Sequence, residues 1–199
     1  MVERICSVKG IDLGEFASPT NYRLPDSAWG EPYNKTYLDV LSEASKTIDI
    51  MCGSFSNRFY DSFGFMDVAN RFLLLGDGNL SIVMNAGIYC PHEKEIESAR
   101  AAAVEKLREQ KREFLEMIKF MDKRYQEKVK FYWVPVRTTR HYTIVDDRTL
   151  LIEEDHETGS PRNILVWKYQ DEMARRWKEG FNKIKNTPKC RPIRIEELL

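Results

Sequence analysis

Thr139-Arg140-His141-Tyr142-Thr143-Ile144-Val145-Asp146-Asp147-Arg148-Thr149-Leu150-Leu151-Ile152-Glu153-Glu154 is the stretch whose reading decides the fold. A polar, basic entry leads into a short apolar run, which stops at Asp146-Asp147-Arg148, and a second apolar run returns from there. Aspartates between two apolar runs are turn chemistry, so the pattern predicts a β-hairpin with strands over 141–145 and 149–153.

Upstream, Tyr37, Leu38, Leu41 and Ala44 recur at helical spacing over 35–46, with Asn34 as candidate N-cap. A mostly apolar strand follows over 47–53, then a helix over 66–75 that stops at Gly76-Asp77-Gly78. The next strand covers 80–85. Residues 93–127 hold no Gly or Pro and carry an apolar stripe from Ile96 to Tyr125, which predicts one long helix between strands. Its full length is about 50 Å at ~1.5 Å per residue, more than a domain of this size spans. It therefore either breaks in two or projects as an oligomerisation arm.

Further strands are expected over 129–136 and 163–169, and an amphipathic helix over 170–184. Residues 1–33 read as an extended arm, 34–186 as one α/β domain with a mixed sheet, and 187–199, with Pro188 and Pro192, as a loose tail. Helix alternating with strand, then a hairpin, then a closing helix makes a mixed-sheet α/β sandwich.

At 199 residues the chain is long enough for one sizeable core, and its 31 basic residues equal its 31 acidic ones. No global field draws it to nucleic acid or an anionic membrane. No apolar run reaches membrane-spanning length, and the first residues lack a secretory pattern, so a cytoplasmic protein is expected. Cys6, Cys52, Cys90 and Cys190 are scattered without finger-like spacing, so no metal site and no cofactor is called for, and buried thiols are the simplest account.

The strand, turn and strand around His141, with the opening helix that leads into Ile48-Asp49-Ile50, resemble the phospholipase D superfamily over roughly residues 33–185. The family motif there is His-x-Lys, four residues, then Asp. The resemblance implies a histidine that attacks phosphorus, a lysine on the same strand face that holds the phosphoryl oxygens, and a second motif copy that supplies the acid. This chain departs from the motif. Anchoring on Asp146 puts Thr139 in the nucleophile slot and His141 in the lysine slot, and this register fits the strand better. Anchoring on His141 as nucleophile puts Thr143 and Arg148 in the other two slots. The lysine is missing in both.

Arg137, Thr139, His141 and Thr143 share one strand parity and suit an anion. Cys52 and Ser54 at the end of the first strand, Asn85 at the end of the second, and Glu154 and His156 after the hairpin complete the candidate ligand-binding set. The competing reading makes His141 a satisfied, half-buried histidine, with the arginines paired to Glu153 or Glu154. His92 reads as surface decoration. Tyr132, Trp133, Trp167 and Tyr169 read as core rather than a base-stacking platform.

The resemblance, with its gaps, implies a catalytically degenerate domain that senses a small phosphate-bearing or other anionic ligand and pairs as a homodimer. The alternative is an active phosphodiesterase or nuclease using His141 from two subunits. Nucleic-acid binding through the basic C-terminal portion (Arg175, Arg176, Lys178, Lys183, Lys185, Lys189, Arg191 and Arg194) is a third reading, against the plainer one of solvated helix charge.

Overall fold

In the computed structural model the apolar runs flanking Asp49 and Ser81 become the centre of a seven-stranded mixed sheet. The structure describes residues 31–53, 55, 58–75, 78–85, 92–136, 140–153 and 164–199. Helix α1 (Glu31–Ser42) leads into β1 (Thr47–Cys52), α2 (Phe63–Leu75) and β2 (Asn79–Asn85). Three helical segments, α3 (Ile96–Gln110), α4 (Arg112–Lys119) and α5 (Lys123–Gln126), precede β3 (Val129–Val134). Strands β4 (Tyr142–Val145), β5 (Thr149–Glu153) and β6 (Ile164–Trp167), helix α6 (Asp171–Lys185), strand β7 (Arg191–Ile193) and helix α7 (Ile195–Leu198) complete the order.

The sheet runs β6-β5-β4-β1-β2-β3-β7. Strands β1, β2 and β3 are parallel, and every other neighbouring pair is antiparallel. Both faces are covered, which is why the central strands are apolar on both sides. On one face α1, α2, α3 and α4 pack over Ile48, Ile50, Ile82 and Phe131. On the other, α6 lays Met173, Ala174, Trp177 and Phe181 against Met51, Val83 and Ile144. This is the α/β sandwich expected.

The predicted hairpin is present. Asp146 (φ 52°) and Asp147 (φ 55°) both take left-handed backbone, and the Arg148 N–H donates to the Val145 carbonyl at 3.0 Å. The connection is the three residues Asp146, Asp147 and Arg148, and aspartate is among the few non-glycine residues that tolerate left-handed backbone.

Two expectations change, and one open alternative is decided. The 93–127 stretch breaks, at Lys111 (φ −124°, ψ 34°) and again before α5. A carboxylate from elsewhere in the chain stabilises the first break: Asp61 accepts the Phe114 N–H at 3.0 Å in the first turn of α4. The helix over 35–46 begins earlier, at Glu31, so Asn34 lies inside it; residues 1–30 of the expected arm fall outside the described residues. The segment read as a loose tail contributes β7, paired with β3, and α7. Arg100 fixes it by donating to the Pro192 carbonyl at 2.9 Å and to Glu197 at 2.8 Å. A three-residue strand carries too little periodicity to be read, and its central proline is tolerated only because it lies at a sheet edge.

Candidate functional site

His141 precedes β4, where the chain passes the carboxyl end of β1. A Cβ placed on Gly53 would lie 3.4 Å from its Nε2, so the ring sits against the backbone there. The Asn85 N–H donates to the Gly53 carbonyl at 3.1 Å, which ties the ends of β1 and β2 together beside it. Opposite His141 stands Glu153, with Nδ1 to Oε2 at 3.3 Å, and the Glu153 N–H donates to the His141 carbonyl at 2.8 Å. The imidazole side chain is 23 % exposed and the carboxylate 10 %. His141 is thus half-buried, and Glu153 is a partner of its ring.

Beneath this pair Thr143 is buried and its hydroxyl is hydrogen-bonded to the Tyr37 phenol of α1. Burial pushes the Tyr37 phenol well above its ordinary range, against the opposing effect of hydrogen bonds to Thr143 and Tyr60, so it is a neutral donor. Tyr37, Met51, Tyr60, Tyr142, Thr143 and Leu151 line a niche with His141 and Glu153, which leaves about 10 Å³ for the centre of a water-sized sphere. That is room for one water and no more. Among the described residues, no lysine or arginine lines the niche.

Cys52 is buried at the end of β1, with its thiol 3.8 Å from the Val83 carbonyl. Burial pushes that thiol far up, so it is not a nucleophile at neutral pH. Just beyond, Phe55 adopts φ 53°, an outlier for a bulky residue, held by stacking on Tyr60 at 4.1 Å between centroids. Backbone strain therefore lies in the same loop that Gly53 opens.

Thr143, Cys52 and Asn85 are all buried around the ends of β1, β2 and β4 near His141. Arg137, Thr139, Ser54, Glu154 and His156 fall outside the described residues. Asp146, the last motif position, faces away from the niche. Its carboxylate accepts the N–H groups of Ser45, Lys46 and Thr47 and the Ser45 hydroxyl at 2.7–2.9 Å. Burial alone would raise that carboxyl, but these bonds outweigh it and hold it below the usual range.

Glu153 is the site residue that sequence reasoning missed, and a signal for it existed. The three-residue turn Asp146-Asp147-Arg148 fixes the pairing Val145↔Thr149 through Tyr142↔Ile152, and one step further sets His141 opposite Glu153.

Elsewhere the expected roles divide. Trp133 and Trp167 are core, whereas Tyr169 is 62 % exposed and lies beneath the Arg148 guanidinium at 5.3 Å. At Gly78 a Cβ would lie 2.1 Å from the Phe72 ring, so the backbone there passes too close to that ring for a side chain. Much of the C-terminal basic stretch is engaged: Arg176 with Glu172, Lys178 with Asp49 and Asp147, Arg191 with Glu97, and Arg194 with Glu197. No three His, Cys, Asp or Glu side chains gather as a metal set among the described residues. No helix of the described residues is long and apolar enough to cross a membrane.

No family model and no curated protein matches the chain. Among solved structures, phosphatidylserine synthase of Haemophilus influenzae Rd KW20, a phospholipase D-like superfamily member, aligns at TM-score 0.53 and 15 % identity. The alignment covers 85 % of this chain and 39 % of that one. TrmBL2, an archaeal chromatin protein with a novel mode of DNA binding, aligns at TM-score 0.43 and 12 % identity, over 75 % of this chain and 46 % of that one. The chain spans less than half the length of either. At this identity the likeness to the synthase is one of fold: the chain is a mixed α/β sandwich similar to a phospholipase D-like protein.

Proposed function

We propose that this is a phospholipase D-like domain that senses a small phosphate-bearing or other anionic ligand at the mouth around His141, without hydrolysing it, and that it works as a homodimer. The observation that carries the reading is the position of His141 against Gly53, at the carboxyl end of β1. There the chain order of the sheet reverses, with β2 on one side of β1 and β4 on the other. Open α/β sheets bind ligands in the crevice outside such a switch point. In sequence the entry to β4 is basic, with Arg137, Arg140 and His141, and that composition suits an anion.

The same geometry argues against turnover. Phosphoryl transfer needs a cation fixed on the phosphoryl oxygens, and among the described residues no lysine or arginine lines the niche beside the His141 ring. The test is thermal unfolding with inorganic phosphate and nucleoside monophosphates. The expected result is a rise in Tm that Arg137→Ala or His141→Ala removes; no rise with any of these compounds defeats the reading.

One observation favours the alternative of an active phosphodiesterase. A carboxylate at Nδ1 orients an imidazole for nucleophilic work. Turnover of a generic phosphodiester that His141→Ala abolishes, with a trapped phosphohistidine, would establish it.

A further inference from the structure

We infer that the face between α2 and α4–α5 is the surface through which two copies of this chain associate. The inference takes up the self-association in the reading above and does not depend on the ligand at His141.

Helix α2 is apolar on two faces. Phe65, Val68, Ala69, Phe72 and Leu73 form the buried stripe that meets the sheet. Phe63, Met66, Asn70 and Leu74 form a second stripe at helical spacing, and it lines a slot of about 590 Å³ closed on its far side by Met117, Phe120 and Met121. Phe63 is 82 % exposed and Phe120 86 %. Leu74 lies in the slot, and Leu75, 82 % exposed, follows it in the chain. A helix with two apolar faces is stable in water when both are covered.

The shape of the face selects a second copy as the cover. It carries a knob and a hole together: two projecting rings beside a slot lined by Met66, Met117 and Met121. Two-fold apposition seats a ring of each copy in the slot of the other, the arrangement that an isologous interface requires. Thioether side chains suit the fit because they adapt to what enters.

Area agrees with this. The two phenylalanines alone offer roughly 300 Å², more than a third of the ~800 Å² that each partner contributes to a standard interface, and Met66, Leu74, Met117 and Tyr125 of the slot add to it. Charge agrees too. The two carboxylates that line the slot, Asp67 and Asp122, are each paired with a cation of the same copy, Arg71 and Arg124, so neither brings an uncompensated charge to the interface. Equal numbers of acidic and basic residues leave no net repulsion between copies. The slot shares no lining residue with the His141 niche, so this pairing does not bring two histidines into one cleft.

The experiment is sedimentation velocity on the full chain across a hundredfold concentration range, with hydrogen exchange of residues 63–75 and 112–126. Expected is a dimer whose dissociation constant Phe63→Ser with Phe120→Glu raises by about a hundredfold, while Tyr169→Glu leaves it unchanged. Both rings are exposed in the monomer, so the variant folds, and its circular dichroism checks this. Protection of the two segments rises with concentration. A monomer at every concentration, a dimer indifferent to the double substitution, or protection independent of concentration (the mark of residues 1–30 filling the slot from the same chain) overturns the inference. Phosphate-induced stabilisation of such a monomer would overturn the interface alone and leave the ligand reading standing.

Discussion

Asp146, the residue after β4, accepts the backbone N–H of Thr47, the first residue of β1, at 2.9 Å. With Ser45 and Lys46 on the same carboxylate, one side chain satisfies the chain's entry into its central strand. Asp146→Ala should cost about 1–3 kcal/mol in urea unfolding, toward the lower end because the carboxylate is partly exposed. The carboxyl is held below its ordinary value, so its contribution is complete above about pH 4 and is lost as pH falls through its folded value. Acid titration of stability should therefore be shallower in Asp146→Ala. An unchanged acid limb removes this account.

Asp49 is buried under α6, bonded to Lys178, which also reaches Asp147 at 3.3 Å. Burial opposes both charges. For Lys178 the two carboxylates win and raise its ammonium above the usual lysine range. Lys178→Met should cost about 3–5 kcal/mol, since it strands a buried carboxylate, whereas Asp49→Leu with Lys178→Met should recover most of that loss. The lysine's share of stability is fully present below about pH 10 and disappears as pH rises through its folded value. Equal losses in the single and double variants would contradict the argument.

Lys111 is 1 % exposed at the break between α3 and α4, its Nζ donating to the Gln110 carbonyl at 2.9 Å. Burial depresses its ammonium, with Asp61 acting in the other direction. The unfolded chain holds that proton over a range where the folded one has released it, so this group makes stability rise with pH up to about 10. Lys111→Met keeps the stem, removes that slope, and should add about 1 kcal/mol at pH 7, measured by urea midpoints at pH 7 and 10.

Glu153→Gln keeps a hydrogen-bonding group beside the His141 ring and removes its negative charge. If an anion binds at this mouth, its affinity should rise several-fold in calorimetric titration with phosphate. A fall would mean that the carboxylate is needed to hold the imidazole in its binding orientation.

The sheet was legible because its strands are short apolar runs bounded by turn residues, and the 149–153 strand coincides with β5. The break at Lys111 was not, because the group that stabilises it, Asp61, lies fifty-three residues away from Phe114. The His141 surroundings were half legible. Side-chain parity put His141 and Thr143 on one face, but parity does not say that the Tyr37 phenol of α1 takes the Thr143 hydroxyl. Asp146 was read as the last position of the phosphoryl-transfer motif, and its carboxylate serves backbone amides.

The two halves of the sheet differ in how far apart in the chain their partners lie. Strands β4, β5 and β6 meet through nearby connections, whereas the β1–β4 seam joins residues about a hundred positions apart. Closing that seam carries the largest loop entropy, so it belongs to the late part of the folding reaction. Stopped-flow measurements should then show Asp146→Ala accelerating unfolding while refolding keeps its rate. A seam that forms last also opens first, so the entrance at His141 borders the part of the sheet most ready to yield to an incoming molecule.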